Sequence, residues 1–163
     1  GDDEVLALAE IHGASLLFEA YPVGLNAAVT QGVEYAAQHD ATAVLVLPAD
    51  LPLARVEDIE RMLAPLAGQH GLSPDHPPPA TDASPLIALT GDETEEGTNA
   101  LLLAPPGEFK FHYGPGSFQA HLKEGVASGR AIHIVNAPGL RFDLDTESDW
   151  LVYNGYLVMV ADE

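Results

Sequence analysis

TAVLVLPADLP, at residues 42–52, is the stretch that decides the fold. Residues 44–47 are apolar without alternation, which is typical of a strand in a parallel sheet that is covered on both faces. Pro48 and Pro52 end the extended segment on either side of Asp50, because proline cannot donate a ladder hydrogen bond. We therefore predict a central strand with a carboxylate just beyond its end.

Asp50 has two interpretations. Ligands of open α/β sheets bind outside the carboxyl ends of the strands, where an acid can hold a metal ion against a phosphate. Alternatively, Asp50 caps the helix that starts near Arg55 or supports the turn.

The composition indicates one domain, over residues 1–163, without thiol chemistry. Hydrophobic residues make up 47% of the sequence, but no apolar run approaches the roughly 18 residues that a membrane span needs. The absence of cysteine excludes disulfides, thiol nucleophiles and thiolate metal sites, and leaves His, Asp and Glu as metal ligands. We expect a soluble, cytoplasmic protein without a membrane partner.

Acidic residues dominate the charge: 25 acids stand against six bases, for a net charge of -19. This balance argues against a nucleic-acid partner, because binding to a phosphate backbone needs a basic surface. A small phosphate ligand would have to be neutralised by cations, backbone N–H groups and helix N-termini. The alternative is that the acidity only keeps the surface solvated.

Periodicity gives the element order. Helical spacing of apolar residues predicts helices at 5–11, 25–36, 59–64 and 118–127, with Pro65 ending the third of them near Ala64. Short apolar runs predict strands at 15–19, 44–47, 86–89, 100–104, 109–113 and 132–135. Between them, residues 67–85 are rich in proline and without periodicity, which predicts a surface loop; its three prolines at 77–79 could alternatively recognise a partner.

The C-terminal part combines a strand-like segment with a helix start. Residues 140–145 alternate apolar with polar, which places Asp143 and Asp145 on one face. Thr146 with Asp149 resembles a capping box that opens a helix through Trp150. The pair at 154–155, Asn-Gly, would also suit a hairpin turn, although we favour a helix for at least the first half.

Three carboxylates could form a metal site. Asp50, Asp143 and Asp145 could jointly hold Mg²⁺, which prefers oxygen ligands and shares them with phosphate. Against this stands a capping role for Asp145 or Thr146. No two of the seven histidines have the i, i+4 spacing of a zinc site, but His121 lies one turn after Ser117 and could face the same pocket.

Neither hydrolase nor P-loop chemistry has a motif here. Ser117 lacks the Gly-x-Ser-x-Gly context of a serine hydrolase, and no P-loop or dinucleotide fingerprint is present.

Several short motifs occur in one order: GLN at 24–26, PADLP at 48–52, GTNAL at 97–101, GPGSF at 114–118 followed by His121, and DLDT at 143–146. Together they resemble the 2-phospholactate guanylyltransferase family. The resemblance implies a nucleotidyltransferase fold like that of the molybdenum-cofactor guanylyltransferases and, more broadly, of the nucleotide-diphospho-sugar transferases. Such a fold is a mostly parallel sheet with helices on both faces.

The resemblance also implies an activity. Enzymes of this family transfer GMP from GTP to 2-phospholactate or phosphoenolpyruvate, release pyrophosphate and serve biosynthesis of the deazaflavin coenzyme F-420. Matched motif by motif, the implied roles are Mg²⁺ binding by Asp50, Asp143 and Asp145, acceptor-phosphate binding by Thr98, Gly114 and Ser117, and nucleotide binding by Gly24 and Asn26.

The sequence departs from the family in two places. Family members begin with a strand and a loop that holds the triphosphate, whereas this sequence begins beyond that region. We expect either that it is a piece of a longer protein or that the element is lost, and in both cases little transfer by these 163 residues alone. The second departure is the turn at 91–96, which has four acids and no base.

Two hypotheses of function follow. The first is a Mg²⁺-dependent guanylyltransferase, and the second is a non-catalytic relative that binds a phosphate metabolite or serves in an assembly; a homodimer is left open.

The turn before residue 118 is the expected acceptor site. We predict that the backbone N–H groups of residues 114–117, the Ser117 hydroxyl and the first turn of the following helix bind an anion. The alternative is that Ser117 is only the N-cap of that helix.

Overall fold

The structure, a computed structural model, describes residues 3–19, 21, 23–69 and 84–161, without the side chains at 68–69 and 158–161. These residues form α1 (Asp3–Ile11), α2 (Leu25–Gln38), β1 (Val44–Val46), α3 (Val56–Gln69), β2 (Leu86–Gly91), β3 (Thr98–Ala104), α4 (Ser117–Ala127), β4 (Ala131–Ile134), a 3-10 turn (Pro138–Leu140) and α5 (Glu147–Ala161). Most of the predicted surface loop at 67–85 lies outside the described residues. No helix in the described ranges is both long and apolar enough to cross a membrane.

The sheet is mixed. Its strand order is β1-β3-β2-β4, with β3 antiparallel to both β1 and β2 and only β4 parallel to β2. The predicted mostly parallel sheet is therefore not confirmed among the described strands. The reason is local: only six residues, 92–97, connect β2 to β3, too few for the crossover that parallel neighbours require.

The core lies on both faces of β2 and β3, which are buried at every position. Even-numbered side chains of these strands pack with α3, in a cluster that includes Leu86, Ala88, Leu102 and Met62. Odd-numbered side chains pack with α2 and α4, in a cluster that includes Ile87, Leu89, Leu101, Val33 and Phe118. The predicted helices on both faces of the sheet are thus confirmed.

Strand β1 is not the central strand that the sequence predicted. Within the described sheet it pairs on one side only, with β3, and its three residues are half-buried. The longer and completely buried segments β2 and β3 take the centre instead, because they are apolar on both faces over six and seven residues. Asp50 therefore follows an edge strand of the described sheet.

Four other local predictions are wrong. Residues 15–19 are largely exposed and form no strand, and residues 109–113 and 141–145 run without strand pairing. Helix α3 continues through Pro65 to Gln69, since proline near a helix end removes only one late hydrogen bond. The Asn-Gly pair at 154–155 is helical, so the hairpin alternative fails and the helix is confirmed.

Gly139 gives a test of the packing between the 3-10 turn and α3. A Cβ at Gly139 would collide with the carboxylate of Asp58 and the carbonyl of Leu53. Asp58 cannot move cheaply, because it is buried and accepts hydrogen bonds from Arg55 N and the Arg61 guanidinium. We expect Gly139→Ala to lower the free energy of unfolding by about 1–3 kcal/mol, the usual cost of overpacking, in urea titrations.

The matched control is Gly32→Ala in the interior of α2, where a Cβ meets no atom within 4 Å. It should raise stability by roughly 0.5–1 kcal/mol, because alanine is the better helix former. Equal effects of the two substitutions would contradict this account of the Gly139 contact.

Candidate active site

A β-bulge turns Thr98 towards α4. Thr90 pairs with Ala100, but the next pair is Gly91 with Thr98, so Asn99 is the extra residue. In a regular strand Thr98 would share the α3 face with Ala100. The bulge instead places Thr98 opposite Gly91, on the face that α4 covers, since a Cβ on Gly91 would lie 3.1 Å from the Phe118 ring.

Thr98 belongs to a buried chain of hydrogen-bonding side chains. Its Oγ1 lies 2.9 Å from Nδ1 of His121 and accepts a hydrogen bond from the Ser117 hydroxyl at 3.3 Å. All three side chains are almost inaccessible to water: Thr98 is 6% exposed, Ser117 2% and His121 0%. The sequence suggestion that His121 shares a pocket with Ser117 matches this arrangement.

The protonation of His121 follows from its partners. Its Nε2 accepts a hydrogen bond of 2.8 Å from the backbone N–H of His112, so Nε2 carries no proton. Burial, aided by His112 and opposed by Glu124, lowers the pKa of His121 to about 4. A neutral imidazole has one N–H, so Nδ1 carries it and donates to Thr98 Oγ1.

Asn26 fixes the segment that leads to α4. Its Oδ1 accepts from Tyr113 N at 2.6 Å, and its Nδ2 donates to Tyr113 O at 3.1 Å. These bonds replace the strand pairing that residues 109–113 lack. Gly114 follows with φ 127°, a conformation that favours glycine, and its carbonyl accepts from Ser117 N at 3.0 Å. The structure therefore brings Asn26 and Gly114 beside the Thr98–Ser117 pair.

Ser117 is not the N-cap of α4. Gly116 takes that position in the left-handed conformation, without a side-chain cap. The Ser117 hydroxyl instead donates a hydrogen bond to Thr98 Oγ1. The capping alternative is thus wrong. The prediction that the backbone N–H groups here are free is also wrong in part, because Ser117 N donates to Gly114 O and Phe118 N to Glu96 O. Both of these N–H groups are therefore paired inside the protein.

The acidic residues meet on a different segment. Asp50 O accepts a hydrogen bond of 3.0 Å from Leu144 N, which fastens the PADLP turn to the middle of DLDT. Partial burial and the nearby charges of Asp143, Asp50 and Asp149 raise the pKa of Asp145. Charge repulsion from these neighbours is thus one of two causes of the shift, after desolvation.

Helix capping does not use these acids. Asp58, not Asp50, accepts the hydrogen bond from Arg55 N at the start of α3. At α5, the predicted capping box is confirmed: Thr146 Oγ1 donates to Asp149 at 2.7 Å, and Asp149 N donates back to Thr146 Oγ1 at 3.2 Å.

The expected grouping of Asp50, Asp143 and Asp145 into one metal-sized cluster is not present in the described part of the structure. Within the described residues, no three His, Asp or Glu side chains are grouped closely enough to hold an ion. Nor does a described hydrogen bond or ion pair join Asp50, Asp143 or Asp145 to Thr98 or Ser117.

Gly24, the remaining predicted site residue, is the N-cap of α2. It has φ 106° and is exposed, and its carbonyl accepts from Ala27 N and Ala28 N. It therefore lies two residues before the Asn26 amide that holds Tyr113.

The acidic turn between β2 and β3 is organised by Asp92 and Arg141. Asp92 accepts hydrogen bonds from the N–H groups of Thr94, Glu96 and Gly97, which lower its pKa although partial burial raises it. Arg141 supplies the base that the local sequence lacks, donating to Glu93 O at 3.0 Å. Only the folded chain shows this pairing.

Sequence reasoning missed two buried polar groups beside the site. Among the described residues, Nδ2 of Asn99 and the hydroxyl of Tyr113 are buried without a hydrogen-bond partner. Burial raises the pKa of Tyr113. Asn99 is the bulge residue next to Thr98, and the Tyr113 and His121 rings meet edge to face with centroids 4.9 Å apart. No short sequence motif indicates that the Asn99 amide or the Tyr113 hydroxyl would be buried without a partner.

Three known proteins with similar sequences are all named guanylyltransferases. The chain is 37% identical to the phosphoenolpyruvate guanylyltransferase of Rubrobacter xylanophilus over 148 residues, 91% of this chain and 64% of that protein. It is 32% identical to the enzyme of the same name from Sphaerobacter thermophilus, over 91% of this chain and 63% of that protein. It is 30% identical to the 3-phospho-D-glycerate guanylyltransferase of Colwellia psychrerythraea, over 87% of this chain and 60% of that protein.

The chain is accordingly a homologue of nucleotidyltransferases. In particular, it is related to the guanylyltransferases named for phosphoenolpyruvate and 3-phospho-D-glycerate, which confirms the resemblance seen in the sequence. It spans less than two thirds of the length of these relatives. No protein-family model matches it.

The lowered pKa of His121 predicts how stability depends on pH. The unfolded histidine, with a pKa near 6.5, binds its proton before the folded one, with a pKa of about 4. Stability should therefore fall as the pH drops from about 6.5 towards 4, by at most roughly 3 kcal/mol from this group. Urea unfolding across this range measures it.

His121→Gln should reduce that loss, because glutamine does not titrate. The exposed His133 provides the control, and His133→Gln should keep the wild-type pH dependence. The account fails if His121→Gln and wild type lose stability equally between about pH 6.5 and 4.

Proposed function

We propose that the protein transfers GMP from GTP to a phosphorylated three-carbon acid, such as phosphoenolpyruvate or 2-phospholactate. The observation that carries this proposal is the buried Thr98–Ser117 hydroxyl pair, in a chain related over 91% of its length to a phosphoenolpyruvate guanylyltransferase. A role in biosynthesis of the deazaflavin coenzyme F-420, and a cytoplasmic location, remain predictions from the sequence.

The acceptor acid would bind at Thr98, Ser117 and Gly114. Three donor protons, on His121 Nδ1, Thr98 and Ser117, serve two internal hydrogen bonds, so one hydroxyl proton remains for a ligand oxygen. The positive φ of Gly114 allows a ligand close to the backbone. The four described arginines are occupied elsewhere: Arg55 donates to Tyr156, Arg61 to Asp58, Arg130 to Ala104 O and Arg141 to Glu93 O.

The acidic group would hold the cation. Asp50, Asp143 and Asp145 supply hard oxygen donors, and the hydrogen bond from Leu144 N to Asp50 O joins the two segments that carry them. When bound, Mg²⁺ would neutralise phosphate charge during the transfer. Gly24 and Asn26 would lie towards the nucleotide, with Asn26 also fixing the acceptor turn through Tyr113.

The proposed reaction is a displacement at phosphorus. A phosphate oxygen of the acid forms a bond to the α-phosphorus of GTP, the bond from that phosphorus to the β-phosphate bridging oxygen breaks, and pyrophosphate leaves. The described residues would contribute orientation of the acceptor and a site for the neutralising cation, which are the main sources of rate in phosphoryl transfer.

Transfer is tested with the full-length protein, GTP, Mg²⁺ and each candidate acid, by following pyrophosphate release and the guanylylated product. We expect turnover with at least one three-carbon phospho-acid and none with the unphosphorylated acid. Tight binding of an acid without any product would instead favour the alternative, a non-catalytic phosphate-metabolite-binding protein or assembly subunit.

The proposed cation site predicts a thermal shift. Added Mg²⁺ should raise the melting temperature of the full-length protein, because a ligand that binds the folded state stabilises it by mass action. Asp143→Asn should reduce this response several-fold while not lowering the melting temperature without Mg²⁺, since it removes a charge that raises the pKa of Asp145.

Glu108→Gln is the control, because Glu108 is an exposed acid outside this group and should keep the full Mg²⁺ response. An unchanged response in Asp143→Asn would remove Asp143 from the proposed site.

A further inference from the structure

The direction of the hydrogen bond between His121 Nδ1 and Thr98 Oγ1 determines whether the Thr98–Ser117 pair keeps a hydroxyl proton for a ligand. His112 N–H occupies Nε2 of His121, which leaves the proton on Nδ1 and makes Thr98 Oγ1 its acceptor. If the proton were on Nε2, Thr98 would have to donate to Nδ1 and Ser117 to Thr98. Both hydroxyl protons would then be consumed inside the protein, and none would remain for an anion.

We propose that His121 is a positioning residue for the acceptor acid: held as the Nδ1–H tautomer by His112 N–H, it keeps one hydroxyl proton of the Thr98–Ser117 pair available to the ligand. This inference rests on the proposed function and deepens it. His121 does not touch the acid itself, and it acts through Thr98 Oγ1.

The residues around His121 bury the imidazole and so favour its neutral form. The imidazole is 0% exposed, and the rings of Phe109, Phe111 and Tyr113 lie with centroids 4.9 to 6.4 Å from it. The imidazole is therefore shielded from water in the folded protein. The nearest carboxylate partner, Glu124, is held by His112 Nε2 at 3.2 Å rather than by His121.

A purely structural role for His121 makes a different prediction. In that role, only the acceptor for His112 N–H matters, because it fixes residues 109–113. Two amide side chains separate the two roles. His121→Asn places an N–H near the Nδ1 position and loses the acceptor for His112, whereas His121→Gln keeps an acceptor near the Nε2 position and loses the donor to Thr98.

The decisive experiment is calorimetric titration of phosphoenolpyruvate, with Mg²⁺ present, into the full-length wild type and these two variants. We expect His121→Gln to bind the acid about tenfold more weakly than His121→Asn, because Thr98 Oγ1 loses the N–H donor that orients its own proton towards the ligand, and a hydrogen bond to a charged group is weakened. His121→Asn should have the lower melting temperature of the two, because His112 N–H loses its partner. Equal binding, or weaker binding by His121→Asn, would overturn the proposal.

A second arm tests whether His121 acts through Thr98. In a Thr98→Val background, His121→Gln should add little further loss of affinity, since the group that His121 orients is gone. Full additivity of the two losses would contradict the inference.

The tautomer is also measurable without any ligand. Nitrogen-15 NMR of the His121 ring should show protonated Nδ1 and unprotonated Nε2 at neutral pH, and the reverse pattern or an imidazolium would overturn the proposal. Failure of the proposed function looks different: wild type would bind the acid but form no product, which leaves the His121 comparison intact, whereas a wild type that binds no phospho-acid would remove the acceptor site and this inference with it.

Discussion

The hydrogen bond between His121 Nδ1 and Thr98 Oγ1, 2.9 Å long and buried, is the contact on which the candidate site depends. It exists because a bulge at Asn99 rotates Thr98 onto the face that α4 covers. The same imidazole accepts from His112 N and so holds the unpaired segment 109–113 against α4. A polar chain of this kind is costly to bury unless every member is paired, so its pairing defines the local structure.

Charge explains why the site is built this way. With six bases against 25 acids, the protein cannot rely on a cluster of cations to receive a phosphate. It concentrates neutral donors at the start of α4 and carboxylates on the PADLP and DLDT turns, which the Asp50 to Leu144 hydrogen bond holds together. In the proposed function the first group receives the anion and the second the cation of a nucleotide reaction.

The sequence predicted those features that depend on spacing along the chain. The periodicity of α2, the capping box of Thr146 and Asp149, and the apolar runs of β2 and β3 are local, and all are present. Order within the sheet could not be predicted, because apolar runs do not say which strand is central. The bulge at Asn99 and the reach of Arg141 to Glu93 are likewise invisible in sequence, since each depends on residues brought together only by folding.

Motifs in the sequence identified Thr98, Ser117 and His121 as candidate site residues. They did not indicate the hydrogen bonds among these side chains. The sequence indicated Ser117 as either a cap or a ligand group, and Gly116 at the cap position excludes the cap. It proposed Asn26 for the nucleotide, whereas the structure shows its amide holding Tyr113. Side-chain roles of this kind depend on tertiary contacts, which a single sequence does not contain.

The central claim is that the acceptor acid is received by the hydroxyl groups of Thr98 and Ser117, at the starts of β3 and α4. A crystal structure of the full-length protein with phosphoenolpyruvate and Mg²⁺ tests it most directly. The account predicts an oxygen of the acid within hydrogen-bonding distance of Thr98 Oγ1 or Ser117 Oγ, with His121 still bonded to Thr98. An acid bound away from both hydroxyls, with the Thr98–Ser117–His121 chain unchanged, would contradict it.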